Sequence, residues 1–272
     1  MNRLKGYFKN FWKYRFLLQE IVRKNVKLQY RNSVLGIFWT FLQPLLTSIV
    51  LALVFGGIFG QRSADVGCYM VYLLCGRLLY EFFTQSTKRA MRSIRLSASV
   101  IKKVYVPKYI YPLSNVLANF VTFAMSLLVL VVMVIYFKCF TDEVIVINGY
   151  VSLAIVPIII LLVLSLGVGM ILATLNVFFK DIEYIYEVFC MILFYLTPIF
   201  YHPDSLGAHK FVKYCLMANP LYSIVGMFRD CVLFGRMWNW NHFIYATGFA
   251  IFTLVIGFIF FHKKQDKFIL HI

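Results

Sequence analysis

From Gly36 to Phe59 the chain carries no charged side chain. A helix rises about 1.5 Å per residue, so this run is long enough to cross a hydrocarbon core of about 30 Å. Phe38, Trp39 and Phe41 stand near its start, and Gln43-Pro44 one turn further in. Immediately before it lies a basic, aromatic segment ending in Lys27, Tyr30 and Arg31. A basic amphipathic lead-in followed by an uncharged run describes a chain that lies on a membrane and then crosses it.

The rest of the chain has to partner that span, and its composition allows it. Of the 272 residues 61% are hydrophobic and 14% charged, whereas soluble domains are about a quarter charged. This is a polytopic membrane protein, and no stretch outside the apolar runs is long enough for a soluble domain. The net charge of +16 does not point to nucleic acid. The Lys and Arg cluster beside the spans, where they set orientation and meet anionic headgroups.

Residues 1–33 form one unit. Phe8, Phe11, Trp12, Leu18, Ile21 and Val22 recur at roughly helical spacing, with Lys9, Lys13, Arg23, Lys24 and Lys27 mostly elsewhere round the wheel. The pattern predicts an in-plane interfacial helix, the alternative being a solvated basic tail. The Lys and Arg between Phe8 and Phe16 leave no apolar core for a cleavable signal.

Residues 34–272 form the second unit, an all-α membrane domain of six spans. Span one is Gly36 to Phe59. Span two runs from about Cys68 to Thr84 and contains Arg77 and Glu81, four apart and on one face. Ionised groups at membrane depth need a partner or a polar cavity, so the two are either a mutually satisfied pair or the lining of a path. Between Lys88 and Lys108 the chain is strongly basic and has no acid. Ser93 to Tyr105 is predicted as a short amphipathic helix stopped by Pro107. Span three is about Ile110 to Phe137, followed by a loop holding Asp142 and Glu143. Span four is Tyr150 to Phe179, with Gly167 and Gly169 available for close helix packing. The polar turn Lys180-Asp181-Ile182-Glu183 leads into span five, Tyr184 to Tyr201. Pro203 to Trp240 is ambiguous: Leu221 to Phe228 is too short to span and reads as re-entrant or interfacial. Span six is about Phe243 to Phe261.

Six spans put both termini on one side of the membrane. Most of the 27 Lys and Arg fall there, and only Arg62, Lys138, Lys210, Lys213, Arg229 and Arg236 fall on the other. The positive-inside rule makes the termini cytoplasmic.

The chain offers little chemistry of its own. No Gly is followed by Lys, so there is no P-loop for a nucleotide. There is no HExxH and no GxSxG. The six Cys are scattered without metal-ligand spacing, and neither a disulfide nor a metal is expected. His202, His209 and His242 read as lone interfacial side chains. No cofactor is expected in this chain, and it reads as a transport component rather than an enzyme.

Five local runs together carry a resemblance. LQYRNSVLGIFWTFLQPL (Leu28 to Leu45), VIKKVYVPKYIYPLS (Val100 to Ser114), NVFFKDIEY (Asn176 to Tyr184), YLTPIFY (Tyr195 to Tyr201) and NPLYSIVGMFRD (Asn219 to Asp230) resemble the membrane permease subunits of type-2 ABC exporters of polysaccharides. That family exports O-antigen, capsule and teichoic acid. The match is in register with six spans over nearly the whole chain. Lys180 stands where the family more often has Arg, and Arg77 and Glu81 make span two unusually charged. The resemblance implies a homodimer with two copies of a separate ATPase that binds ATP and Mg²⁺. It also implies a coupling helix after span two and re-entrant outer helices between spans five and six.

On that footing, Arg92 to Lys103 is the candidate coupling helix. Arg92, Arg95, Lys102 and Lys103 are its contact residues, and Lys180 and Asp181 are secondary ones. The alternative for the basic residues is lipid-headgroup binding. A sliding glycan is suited by aromatic rings that stack on sugar faces without fixing a register. Phe38, Trp39 and Phe41 on span one and Phe194, Tyr195 and Phe200 on span five are candidates for that lining; their alternative is interfacial anchoring or lipid contact. Two other functions are an ABC permease for a drug or small lipid, and a membrane enzyme acting on lipid-linked sugars.

Overall fold

Helices account for every regular element among the described residues, and there is no strand. The computed structural model describes residues 14–31, 33–55, 68–104, 106–140, 148–202 and 210–271. Phe8, Lys9, Phe11, Trp12, Lys13, Arg62, Tyr105, Asp142, Glu143 and His209 lie outside them, as do the end of span one beyond residue 55 and the start of the ambiguous region.

The chain order is α1 (Arg15–Tyr30), a 3₁₀ turn (Gly36–Phe38), α2 (Trp39–Phe55), α3 (Tyr69–Leu96), α4 (Ala98–Ile101), α5 (Ile110–Phe140), a 3₁₀ segment (Gly149–Ala154), α6 (Ile155–Phe178), α7 (Ile182–Leu196), α8 (Lys210–Ala218), α9 (Pro220–Val232), α10 (Trp240–Lys264), a 3₁₀ turn (Gln265–Lys267) and α11 (Phe268–His271). Among the described residues, four stretches are long and apolar enough to cross a membrane: Gly36–Val54, Ile110–Phe140, Gly149–Phe178 and Trp240–His271. They coincide with predicted spans one, three, four and six.

The other two predicted spans take different forms. Span two does not stop at Thr84. It continues as one 28-residue helix to Leu96, its second half carrying Lys88, Arg89, Arg92 and Arg95. Met91 and Ile94 are fully buried, so packing holds α3 straight past the predicted boundary. The predicted helix from Ser93 is therefore divided. Its first turn belongs to α3, the chain breaks at Ser97 (φ −98°, ψ 10°), and only Ala98–Ile101 form a separate helix. Span five is shorter than predicted. α7 has 15 residues and ends at Leu196, with Thr197 extended (φ −97°, ψ 126°). Pro198 is the cause, since proline pushes the preceding residue out of the helical region and donates no N–H.

α3, α5 and α6 pack together as the centre of the bundle, and α10 lies along α6. α2 touches α3 and α5, and α1 lies across α5. In membranes apolar surface alone does not drive helices together, so close approach at small residues does more. Gly167 and Gly169 supply it on two sides of α6. A Cβ at Gly167 would sit 2.5 Å from the Leu254 amide nitrogen on α10, and one at Gly169 would sit 2.9 Å from the Ala90 Cβ on α3. After α10 the chain folds back. Fully buried Phe268 on α11 packs with Ile94, Ile101, Met170 and Phe261, and Lys108 donates to the Gln265 carbonyl at 2.6 Å. The ambiguous region resolves into α8 and α9. Asn219 caps α9 by accepting from the Leu221 amide, with Pro220 in the first turn.

Candidate functional site

At the basic end of the bundle, where α3 ends and α7 begins, one carboxylate gathers three helices. Glu183 stands in the first turn of α7, where a negative charge suits the helix dipole. Its two oxygens accept from Arg92 Nε at 2.9 Å and Arg95 Nη1 at 2.9 Å, both on α3. Asn176, at the end of α6, donates to the same Glu183 Oε1 at 3.0 Å and to the Met91 carbonyl at 3.0 Å. Arg92 also reaches Glu187 at 3.2 Å. Of the six predicted coupling residues, Arg92 and Arg95 are thus engaged inside the chain. Lys102, Lys103, Lys180 and Asp181 are exposed at the same end. In the sequence Glu183 stands only in a polar turn; nothing local places it opposite two arginines.

These ion pairs are partly exposed, and such pairs contribute only about 0–1 kcal/mol each. Their value lies in geometry, because they fix α7 to α3 while α4 follows directly on α3. Replacing Glu183 with Ala is therefore expected to lower the melting temperature by only a few degrees. If the hub transmits movement, transport falls severalfold in the same variant. Wild-type transport in E183A would leave the hub a purely structural tie.

At the opposite end, the break after α7 is built rather than loose. Arg229 on α9 is only 4% exposed. Its guanidinium donates to the carbonyls of Pro198 (2.6 Å), Ile199 (3.0 Å) and Tyr72 (2.9 Å), and lies 3.4 Å from the centre of the Tyr72 ring. The first two carbonyls belong to the stretch where α7 has ended, so they lack helical donors. Tyr69 donates to the Phe200 carbonyl at 2.8 Å and Tyr72 to the Tyr201 carbonyl at 3.0 Å. Asn219 donates to Thr197 Oγ1 at 3.0 Å. By sequence Arg229 is only one of the charges on one side of the membrane.

Around this break sits an aromatic cluster. Phe194 meets Tyr80 edge-on at 5.2 Å, Tyr195 at 5.5 Å and Phe200 at 5.9 Å. The six predicted lining residues separate here. Tyr195, Phe38 and Trp39 are exposed, Phe41 and Phe194 are half-buried, and Phe200 is buried within the protomer. The two sets are not brought together. α2 meets the cluster through Leu51 and Ala52, about 18 Å along the helix from Trp39 at 1.5 Å per residue.

The predicted pair of Arg77 and Glu81 forms, but loosely: Nε to Oε2 is 3.8 Å. Neither of those two buried atoms has a hydrogen-bond partner. Gln43 of α2 donates to the other Glu81 oxygen at 3.4 Å.

The chain matches the ABC-2 type transporter family over residues 17–233. It is 30% identical over 253 residues to an O-antigen export system permease protein, RfbA, of Klebsiella pneumoniae, covering 93% of both chains. It is 26% identical over 261 residues, 96% of both chains, to the Myxococcus xanthus protein of that name. It is 20% identical over 249 residues to the polysialic acid transport protein KpsM of Escherichia coli, covering 92% of this chain and 93% of that one. A likeness that runs from α1 through α9 takes in the hub at Glu183, the break at Pro198 and the Arg229 clamp together: the chain belongs to the ABC-2 type transporter family.

Proposed function

We propose that this chain is the permease subunit of an ATP-driven exporter that moves a lipid-linked polysaccharide across the cytoplasmic membrane. It would work as a homodimer with two copies of a separate ATPase. The observation that carries the reading is the likeness to an O-antigen export permease over 93% of both chains. Six membrane crossings are reached by adding α3 and α7 to the four apolar helices, with α8 and α9 re-entrant on the outer side. The basic end of the bundle is then cytoplasmic, in keeping with the distribution of Lys and Arg. ATP and Mg²⁺ are assigned to the partner, since the sequence holds no P-loop.

In this reading the ATPase presses on the exposed Lys102, Lys103, Lys180 and Asp181. Glu183 ties α3 to α7, so a tilt imposed at the cytoplasmic face is passed along α7. Tyr195 stands at the far end of that helix, about 18 Å away at 1.5 Å per residue. The exposed aromatics then offer ring faces to a polymer sliding past.

Mild solubilisation of the tagged chain from its native membrane tests the assembly. A Walker-motif ATPase is expected to co-purify in equal amount, with ATP hydrolysis in the preparation. A homogeneous oligomer carrying no ATPase refutes the proposal.

A further inference from the structure

α3 is buried round most of its circumference and opens along one line. From Val71 to Arg92, every residue of α3 that is not buried carries a polar or charged side chain, and none is aliphatic. Arg77, Glu81, Gln85, Lys88 and Arg92 fall within roughly 80° of arc at 100° per residue, and they run roughly 22 Å along the axis. Two outlying helices flank this stripe. On one side Gln43 of α2 donates to Glu81. On the other, Tyr80 donates to the Cys190 carbonyl of α7, and Arg92 donates to Glu187 of the same helix. α7 buries only Tyr186, Cys190 and Leu193, and Leu46, Val50 and Leu53 of α2 are exposed. The stripe is the floor of a groove between α2 and α7.

That groove runs beside stretches apolar enough to cross a membrane. Glu81 is level with Gln43, inside Gly36–Val54, and Ala90 is level with Gly169, inside Gly149–Phe178. The apolar sides of α2 and α7 can face lipid, but the floor cannot, because ionised groups at that depth need a partner or a water-filled cavity. Partners are few. Arg77 and Glu81 meet only at 3.8 Å, and the buried Arg77 Nε and Glu81 Oε2 have no hydrogen bond. Among the described residues, neither Gln85 nor Lys88 has a hydrogen bond or an ion pair. Nor does a second copy seal the groove. Two copies in one membrane are related by an axis along its normal, so each residue meets its own equivalent at the same depth. Closing groove on groove would set Lys88 against Lys88, two buried cations with no acid between them. Water meets both conditions, since it hydrates the unpaired groups and screens like charges.

We infer that this groove is one wall of a water-filled path through the membrane, and that a hydrophilic chain moves along it in contact with Gln85 and Lys88. Gln85 offers a donor and an acceptor and Lys88 offers donors, which suits hydroxyl groups without fixing a register. The cargo rests on the glycan-export reading above; the water does not. The inference adds a polar floor to the aromatic surfaces.

Cysteine labelling tests it on the full-length protein in lipid nanodiscs, where a reagent reaches both faces. The background carries C139S and C215S, which remove the cysteines that are not buried. The probe is the membrane-impermeant anion sulfonatoethyl methanethiosulfonate. Q85C and E81C are expected to react at least tenfold faster than L128C, whose position on α5 is 56% exposed but lies in an apolar stretch. Melting temperatures report that each variant is folded. Rates equal to that of L128C overturn the path. So does a Q85C that forms a disulfide between copies and resists the reagent, since that describes a dry interface. Labelling Q85C in cells is expected to cut delivery of surface glycan at least fivefold relative to the same cells before labelling, and unchanged delivery overturns the cargo contact. If cells lacking the chain keep normal surface glycan while Q85C still labels fast, the export reading falls and the water-filled groove stands.

Discussion

Replacing Arg229 with Ala is expected to abolish export and to lower the melting temperature by on the order of 10 °C. The guanidinium is the donor for the carbonyls of Pro198 and Ile199, and it also reaches the Tyr72 carbonyl. Removing it leaves the first two bare in a buried place. Each buried acceptor without a partner costs roughly 1–3 kcal/mol, so the pair costs roughly 2–6 kcal/mol. For a chain of this size 1 kcal/mol corresponds to roughly 2–4 °C. Lysine keeps the charge but not the planar fork that serves three carbonyls, so R229K recovers only part of the loss. A second variant approaches the clamp from the other side: a Cβ at Gly76 would lie 2.5 Å from Arg229 Nη2, so G76A displaces the guanidinium and reproduces a smaller version of the defect. Thermal unfolding in detergent reads both. R229A with a wild-type melting temperature would remove the clamp from the account.

The clamp marks where the sequence stops being informative. Pro198 breaks its helix through local chemistry alone, although span five reads on to Tyr201 by hydropathy, and Asn219-Pro220 opens α9 in the same local way. What closes the break is a side chain from a different helix, and no local pattern carries that. The apolar runs behind spans one, three, four and six were legible for the opposite reason, because hydropathy is a property of each segment by itself. The end of α3 was misjudged because Ser97 is a weak breaker and the buried faces of Met91 and Ile94 decide the length. Among the aromatics, composition gave no sense of facing. Phe200 is 7% exposed while Tyr195, five residues earlier, is 55% exposed.

The hub at Glu183 was half legible. The basic residues of α3 stood out as charge, and the acidic turn stood out as a turn. Pairing them required knowing that α3 and α7 run side by side in opposite directions. Tyr80 donating to the Cys190 carbonyl and Thr87 hydrogen-bonding Tyr186 fix that register. In the proposed reading the same register is the route for movement from the exposed lysines after α4 to the aromatic cluster at the end of α7. The two ends of the candidate machinery, far apart in sequence, are therefore the two ends of one helix pair.

The other large effect is expected where α6 crosses α10. G167V should destabilise the protein by at least about 3 kcal/mol, at or beyond the upper end of ordinary overpacking. The reason is what the new side chain would meet. A Cβ at Gly167 lies 2.5 Å from the Leu254 nitrogen and 2.6 Å from the Thr253 carbonyl carbon, and one at Gly257 lies 2.5 Å from the Gly167 carbonyl oxygen. These are backbone atoms, which cannot rotate aside as a side chain does, so the whole of α10 must move. Gly248 on the same helix supplies the control, since a Cβ there meets nothing within 4 Å, and G248V should melt with wild type. The consequence reaches the basic end of the bundle as well. α10 delivers Phe268 to its buried seat beside Ile94 and Ile101, so displacing α10 also loosens the support of α4. G167V is thus expected to lose export together with stability. Equal melting temperatures for G167V and G248V would mean that the crossing is not held by close backbone approach.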